Sequence, residues 1–271
     1  MPLFVFMKPF PTTQSGVLGS YILKRHSSSK RWQARQLNDR FTREAAVQGL
    51  KSRAAFKLLQ IDEKHHIFES GQTVVDLGYA PGSWSQVAVA RTQPHGRVLG
   101  VDIIPAQPPK GVSTIQGNFL DPHVQAYVRE FVRDTNRGRP RSPGPISNAD
   151  CYAQELGSAV NASFDKQADS NPRDHKHSMT VDVVLSDMMM NTSGIGFKDH
   201  AGSMDLCHAA LHFSQEVLRV GGHFVCKFYQ GAEDKALEKQ LRELFQRVYR
   251  LKPESSRNES KESFFIGLNR R

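Results

Sequence analysis

The sequence predicts an α/β fold in which a mostly parallel central sheet carries helices on both faces. Three observations lead there. Short β-branched segments recur at 72–77 (QTVVDL), 97–104 (RVLGVDII) and 181–186 (VDVVLS), stretches of helical periodicity separate them, and glycine-bearing turns close them. Strands that alternate with helices are joined by crossovers, and crossovers make parallel pairs.

The elements follow in order. Residues 45–63 read as one helix with Leu50, Ala54, Lys57 and Leu58 along a face, which sets Lys57 among apolar neighbours. The 72–77 strand ends at Gly78, and a Pro81-Gly82 turn leads into a helix over 83–91. A second strand over 97–104 follows the His95-Gly96 turn, and a third covers 112–116. Val124, Tyr127, Val128, Phe131 and Val132 then mark an amphipathic helix. From about 135 to 180 the pattern gives way to Pro, Gly, Ser, Asn and charge, the composition of a disordered surface insertion. The sheet resumes at 181–186. A helix bearing Leu206, Ala210, Phe213 and Val217 is expected to stop at Gly221-Gly222. The remaining expectations are a strand over 223–229 (HFVCKFY), a helix over 234–248 and a last strand over 263–268 (SFFIGL).

Composition narrows the partners. The 36 Lys and Arg against 27 Asp and Glu give a net charge of +9, which favours polyanions. No run approaches the ~20 apolar residues of a spanning helix, so no membrane partner is expected. Cys151, Cys207 and Cys226 are odd in number and widely spaced, which suggests neither a disulfide framework nor a metal site. No acid precedes Asp39, whereas Lys8, Lys24, Arg25, Lys30, Arg31 and Arg35 are basic. That composition suits a transit segment over residues 1–28, or a basic arm that touches RNA phosphates.

The segment 74–84 (VVDLGYAPGSW) puts a carboxylate near the end of a buried strand and glycines just beyond it, where open α/β sheets bind ligands. Its glycines, Gly78 and Gly82, do not have the G-x-G-x-x-G spacing of a dinucleotide loop, which argues against a nicotinamide dehydrogenase. Asp102 closes the second strand, where a carboxylate can accept from both ribose hydroxyls of a nucleoside, so Asp76 and Asp102 together suggest a nucleoside-containing cofactor. Lys227 interrupts the strand HFVCKFY, where a charge is costly without partners.

Seven segments carry a closer likeness: GLKSRAAFKL at 49–58, VVDLGYAPGSWSQVA at 74–88, GVDIIP at 100–105, IQGNFLD at 115–121, VVLSDM at 183–188, GGHFVCKFYQG at 221–231 and KPESSRNESKESFFIGL at 252–268. In these, from residue 29 to the C-terminus and apart from the insertion, the chain resembles the FtsJ/RrmJ family of ribosomal RNA 2′-O-ribose methyltransferases, most closely its mitochondrial branch. The resemblance implies a Rossmann-like S-adenosylmethionine-dependent methyltransferase fold. It also implies a uridine in large-subunit ribosomal RNA, or in a ribosomal subunit precursor, as substrate in the mitochondrial matrix, with the protein acting as a monomer and needing no metal. Related branches act on tRNA or mRNA caps, and a non-enzymatic assembly factor on the same fold is a further alternative.

Carried over residue by residue, the resemblance gives Pro81, Gly82, Ser83 and Trp84 the methionine part of the cofactor, and Asp102 its ribose. Asn118, often Asp in the family, and the backbone of Phe119 would meet the adenine edge, and Asp187 would lie beside the sulfonium. The family's catalytic tetrad falls on Lys57, Asp187, Lys227 and Glu262, with Lys227 as the base. The chemistry explains the set: a ribose hydroxyl needs its proton removed by a nearby amine as the methyl group arrives, and two carboxylates orient a pair of amines. Lys30, Arg31, Arg35, Lys51 and Arg53, with Lys252, Arg257, Arg270 and Arg271, are the candidate RNA-facing charges.

Overall fold

The computed structural model describes residues 39–139 and 179–271, so the transit segment expected at 1–28 and the body of the insertion lie outside the described residues. Among the described residues the helices are α1 (Arg40–Val47), α2 (Ala54–His65), α3 (Ser83–Thr92), α4 (Pro122–Arg133), α5 (Gly196–Val217) and α6 (Asp234–Leu244). The strands are β1 (Thr73–Leu77), β2 (Arg97–Asp102), β3 (Val112–Gln116), β4 (Val181–Ser186), β5 (Leu218–Tyr229), β6 (Phe245–Leu251) and β7 (Glu262–Arg270).

One seven-stranded sheet runs β3-β2-β1-β4-β5-β7-β6. The first five strands pair in parallel, and β7 slots between β5 and β6 antiparallel to both. All five residues of β1 are buried, as a parallel strand covered on both faces requires. Alternation sends Val74 to the face packed by Leu58, Trp84 and Phe264, and Val75 to the face packed by Phe131, Phe213 and Leu237. Full burial of such a side chain contributes about 1.5–3 kcal/mol. After β3 the chain crosses back to place β4 beside β1, and this reversal opens a crevice at the carboxyl ends of β1 and β4.

Four boundaries depart from the sequence pattern. The helix expected over 45–63 is two helices, because Gly49 adopts φ +66° and turns the chain between α1 and α2. Gly221-Gly222 does not end α5. The helix stops at Val217, the Arg270 guanidinium takes up the Gln215 carbonyl (2.8 Å) and the Leu218 carbonyl, and Gly221 at φ +82° turns within β5. The helix expected over 234–248 ends at Leu244, since Phe245 and Val248 pair with β7 and bury as strand residues. The second strand ends at Asp102, leaving Ile103 and Ile104 exposed at 63% and 60%.

Candidate active site

The crevice depends on one glycine. Gly78 follows β1 at φ +79°, and a Cβ there would come 2.8 Å from the Met188 backbone. Without a side chain, the loop after β1 can lie against the loop after β4, and Asp187 N–H donates to the Leu77 carbonyl (3.1 Å). The two loops border a cavity of about 500 Å³, within the usual range for a small-molecule site. Asp102, Ile104, Asn118, Phe119, Asp187 and Lys227 all line it.

Asp102 sits at the end of β2 with one carboxylate oxygen accepting from Ala80 N–H (2.9 Å) and the other from Ile104 N–H (2.8 Å). Those bonds fix the carboxylate, and each oxygen retains a second lone pair. Asn118 Oδ1 accepts from Leu120 N–H (3.0 Å), an Asx turn that leaves the amide nitrogen for a ligand. Phe119 is buried edge-on against Phe213 and forms the floor.

In the expected methionine-binding run, the side chains are engaged within the protein. Pro81, Gly82, Ser83 and Trp84 do not line this cavity. A Cβ on Gly82 would strike the Pro109 ring at 2.7 Å, Ser83 Oγ is 2.7 Å from Ser52 Oγ, and the Trp84 indole donates to the Ala54 carbonyl (2.9 Å) while its ring meets Phe264. These side chains fasten the start of α3 to α2, so the run can reach a ligand only through the backbone N–H groups of a helix start. Asp76 is also displaced from its expected role. It is fully buried, accepts from Ser85 Oγ (2.6 Å) and leaves its other oxygen without a hydrogen-bond partner. Burial, with Asp187 and Asp102 adding repulsion, pushes its carboxyl up to about 7.

The four catalytic candidates converge from four elements. Lys227 Nζ lies 2.8 Å from Asp187 Oδ1 and donates to the Asp187 carbonyl (2.7 Å). Lys57 Nζ lies 2.7 Å from Glu262 Oε1. Burial raises the Glu262 carboxyl, but Lys57, and to a lesser extent Lys227, outweigh that and bring it below its ordinary value. Glu262 therefore feels both ammonium groups. In the β5–β7 ladder Lys227 faces Phe264 and Tyr229 faces Glu262, so all four share one side of the sheet. Tyr229 and the apolar rim of Ile103, Ile104 and Met189 escaped the sequence reading. VDII looked like continuing strand, and an aromatic in a buried strand ordinarily signals core.

The RNA-facing charges are more constrained than composition suggested. Arg53 and Arg257 both pair with Asp39, Lys51 Nζ donates to the Gln107 carbonyl (2.5 Å), and Lys252 Nζ donates to the Asn258 and Ser260 carbonyls. Arg270 caps α5, and Lys30, Arg31 and Arg35 lie outside the described residues.

Comparison with known proteins agrees with this geometry. Residues 50–270 match the FtsJ-like methyltransferase family model. The chain is 37% identical to the mitochondrial rRNA methyltransferase 2 of Saccharomyces cerevisiae over 95% of this chain and 92% of that one. It is 34% identical to ribosomal RNA large subunit methyltransferase E of Nitrosospira multiformis, over 92% of this chain and all of the other. A crystal structure of a Plasmodium falciparum protein assigned as a ribosomal RNA methyltransferase superimposes with a TM-score of 0.55 at 25% identity, covering 81% of this chain and 98% of that chain. The sheet order, the crevice and these matches together show that the chain belongs to the FtsJ-like methyltransferase family.

Proposed function

We propose that this protein methylates a ribose 2′-hydroxyl, that of a uridine in large-subunit ribosomal RNA, with S-adenosylmethionine as donor, and that it works as a monomer in the mitochondrial matrix. The observation that carries this reading is the pair of ion pairs, Lys227 with Asp187 on the wall of the 500 Å³ cavity and Lys57 with Glu262 behind it, within electrostatic reach of Lys227. The cavity fits the donor: a fixed carboxylate at Asp102 for ribose hydroxyls, an amide at Asn118 for a base edge, and the apolar wall of Ile104 for a ring. The backbone at Gly82, Ser83 and Trp84 would hold the amino-acid end. When bound, S-adenosylmethionine supplies a methyl group on a sulfonium, an electrophile that needs no metal.

Lys227 Nζ, once it has released its own proton to solvent, would take the 2′-hydroxyl proton as the ribose oxygen accepts the donor's methyl group, and the donor would leave as the neutral thioether. Asp187 holds the amine in place through its carboxylate and carbonyl. Glu262 holds Lys57 and screens the two cations from each other. An assembly factor would not require all four groups. The yeast relative's mitochondrial name and the acid-free N-terminus support the location.

The test is to incubate the protein with methyl-labelled S-adenosylmethionine and unmodified large-subunit rRNA, then map ribose methylation by mass spectrometry. One 2′-O-methyluridine is expected. Label on tRNA or cap structures alone would overturn the substrate, and label on a base would overturn the reaction.

A further inference from the structure

A second cavity, of about 260 Å³, opens beside the tetrad between the start of α5, the end of β5 and the segment entering β7. Tyr229 stands on its wall. This ring is two residues beyond Lys227 and directly across the ladder from Glu262, so it is on the tetrad's side of the sheet, roughly 7 Å along the strand from Lys227. Its hydroxyl lies 3.6 Å from Met189 Sδ, and Met189 lines the larger cavity, so Tyr229 marks the boundary between the two. Burial raises the Tyr229 phenol, which therefore stays neutral.

The far wall carries Lys261, which forms no ion pair among the described residues. Two acids share the wall with it: Glu259, and Asp199, which feels the Lys261 charge and accepts from Ser193 N–H, Ser193 Oγ and Gly194 N–H. Gly196 leaves room for the amine, since a Cβ there would lie 3.1 Å from Lys261 Nζ.

We infer that this cavity is a subsite for the nucleotide adjoining the methylated one, with its base stacked on Tyr229 and its phosphate on Lys261. The inference rests on the proposed RNA methylation. Continuity with the tetrad selects the occupant: a ribose held at Lys227 and Glu262 must continue into a neighbouring phosphate and base, and an aromatic face beside the Lys261 ammonium suits both. Stacking is indifferent to base identity, so the subsite positions the strand without reading its sequence.

Steady-state methyl transfer tests it, using an RNA that the wild-type protein has been shown to methylate. Tyr229→Ala and Lys261→Gln should each raise KM for RNA by about tenfold, in the range of a lost stacking or phosphate contact, with the S-adenosylmethionine dissociation constant unmoved. Tyr229→Phe should keep the wild-type KM because the ring face remains. Gly196→Leu fills the cavity from the side away from the tetrad and should raise KM likewise. With an abasic neighbour in a synthetic RNA, wild type should fall to the level of Tyr229→Ala and that variant should lose nothing more. Wild-type KM in all three disruptive variants, or an undiminished Tyr229→Ala effect on abasic RNA, would overturn the subsite. Absence of methylation by the wild type would instead overturn the proposed function.

Discussion

Asp76 makes the stability of this protein depend on pH in an unusual direction. Its carboxyl titrates at about 7 in the folded chain against 3.8 when free, because it is fully buried with one oxygen bound to Ser85 and the other unpartnered. The folded state thus holds this proton more tightly than the unfolded state, so the group costs nothing below about pH 4 and destabilises increasingly as pH rises to 7. At 1.36 kcal/mol per pH unit the full cost is about 4 kcal/mol, more than half of which develops between about pH 5 and pH 8. Asp76→Asn keeps an oxygen for Ser85 and cannot ionise. Urea denaturation of both proteins across that range should show the variant gaining on wild type by about 2 to 3 kcal/mol as pH rises, with m unchanged. The comparison removes other titrations, including His223, whose depressed imidazole, caused mainly by burial, favours the folded state as pH rises. A stability difference between the two proteins that stays flat across the range would refute the reasoning, because it would mean that Asp76 is solvated or ion-paired.

Four further outcomes are expected. Lys227→Ala should retain cofactor and RNA affinity and lose methyl transfer by about 100-fold or more, and Lys227→Arg should not rescue it, since guanidinium cannot accept the proton; single-turnover kinetics decides this. Asp102→Ala removes both a ribose clamp and the acceptor for Ala80 and Ile104 N–H, so calorimetry should show S-adenosylmethionine binding weakened by about 1–3 kcal/mol, and an unchanged affinity would reduce Asp102 to a loop anchor. Gly78→Ala combines φ +79° with a 2.8 Å clash against the Met188 backbone, and should lower the melting temperature and abolish cofactor binding together. Glu262→Gln removes a carboxylate that is depressed despite burial, so the wild-type stability advantage over it should be full above about pH 4.5 and shrink as pH falls further, readable by denaturation at two pH values.

Much of the fold was legible because period and turn chemistry are local. The β-branched runs at 72–77 and 181–186 became β1 and β4 nearly unchanged, and the family resemblance nominated the tetrad before any contact was known. The boundaries that failed were set by distant partners: Phe245 and Val248 carry helical spacing yet pair with β7, and α5 ends where Arg270, 53 residues after Val217, meets its last carbonyls. The glycine-rich loop was recognised from sequence, but which of its residues face the cavity was not, because Ser83 and Trp84 are claimed by α2.

The sequence by itself determined the α/β class, the positions of most strands and the family likeness, and that likeness nominated Lys57, Asp187, Lys227 and Glu262. Only the tertiary structure decided how those four pair, that Asp39 is shared by Arg53 and Arg257, that Asp76 is sealed in the core, and that Tyr229 stands between two cavities. The physical reason is range. Side-chain period and turn preference are properties of neighbours along the chain, whereas ion pairing, burial and cavity shape are properties of neighbours in space, and β5 meets β7 across 32 intervening residues.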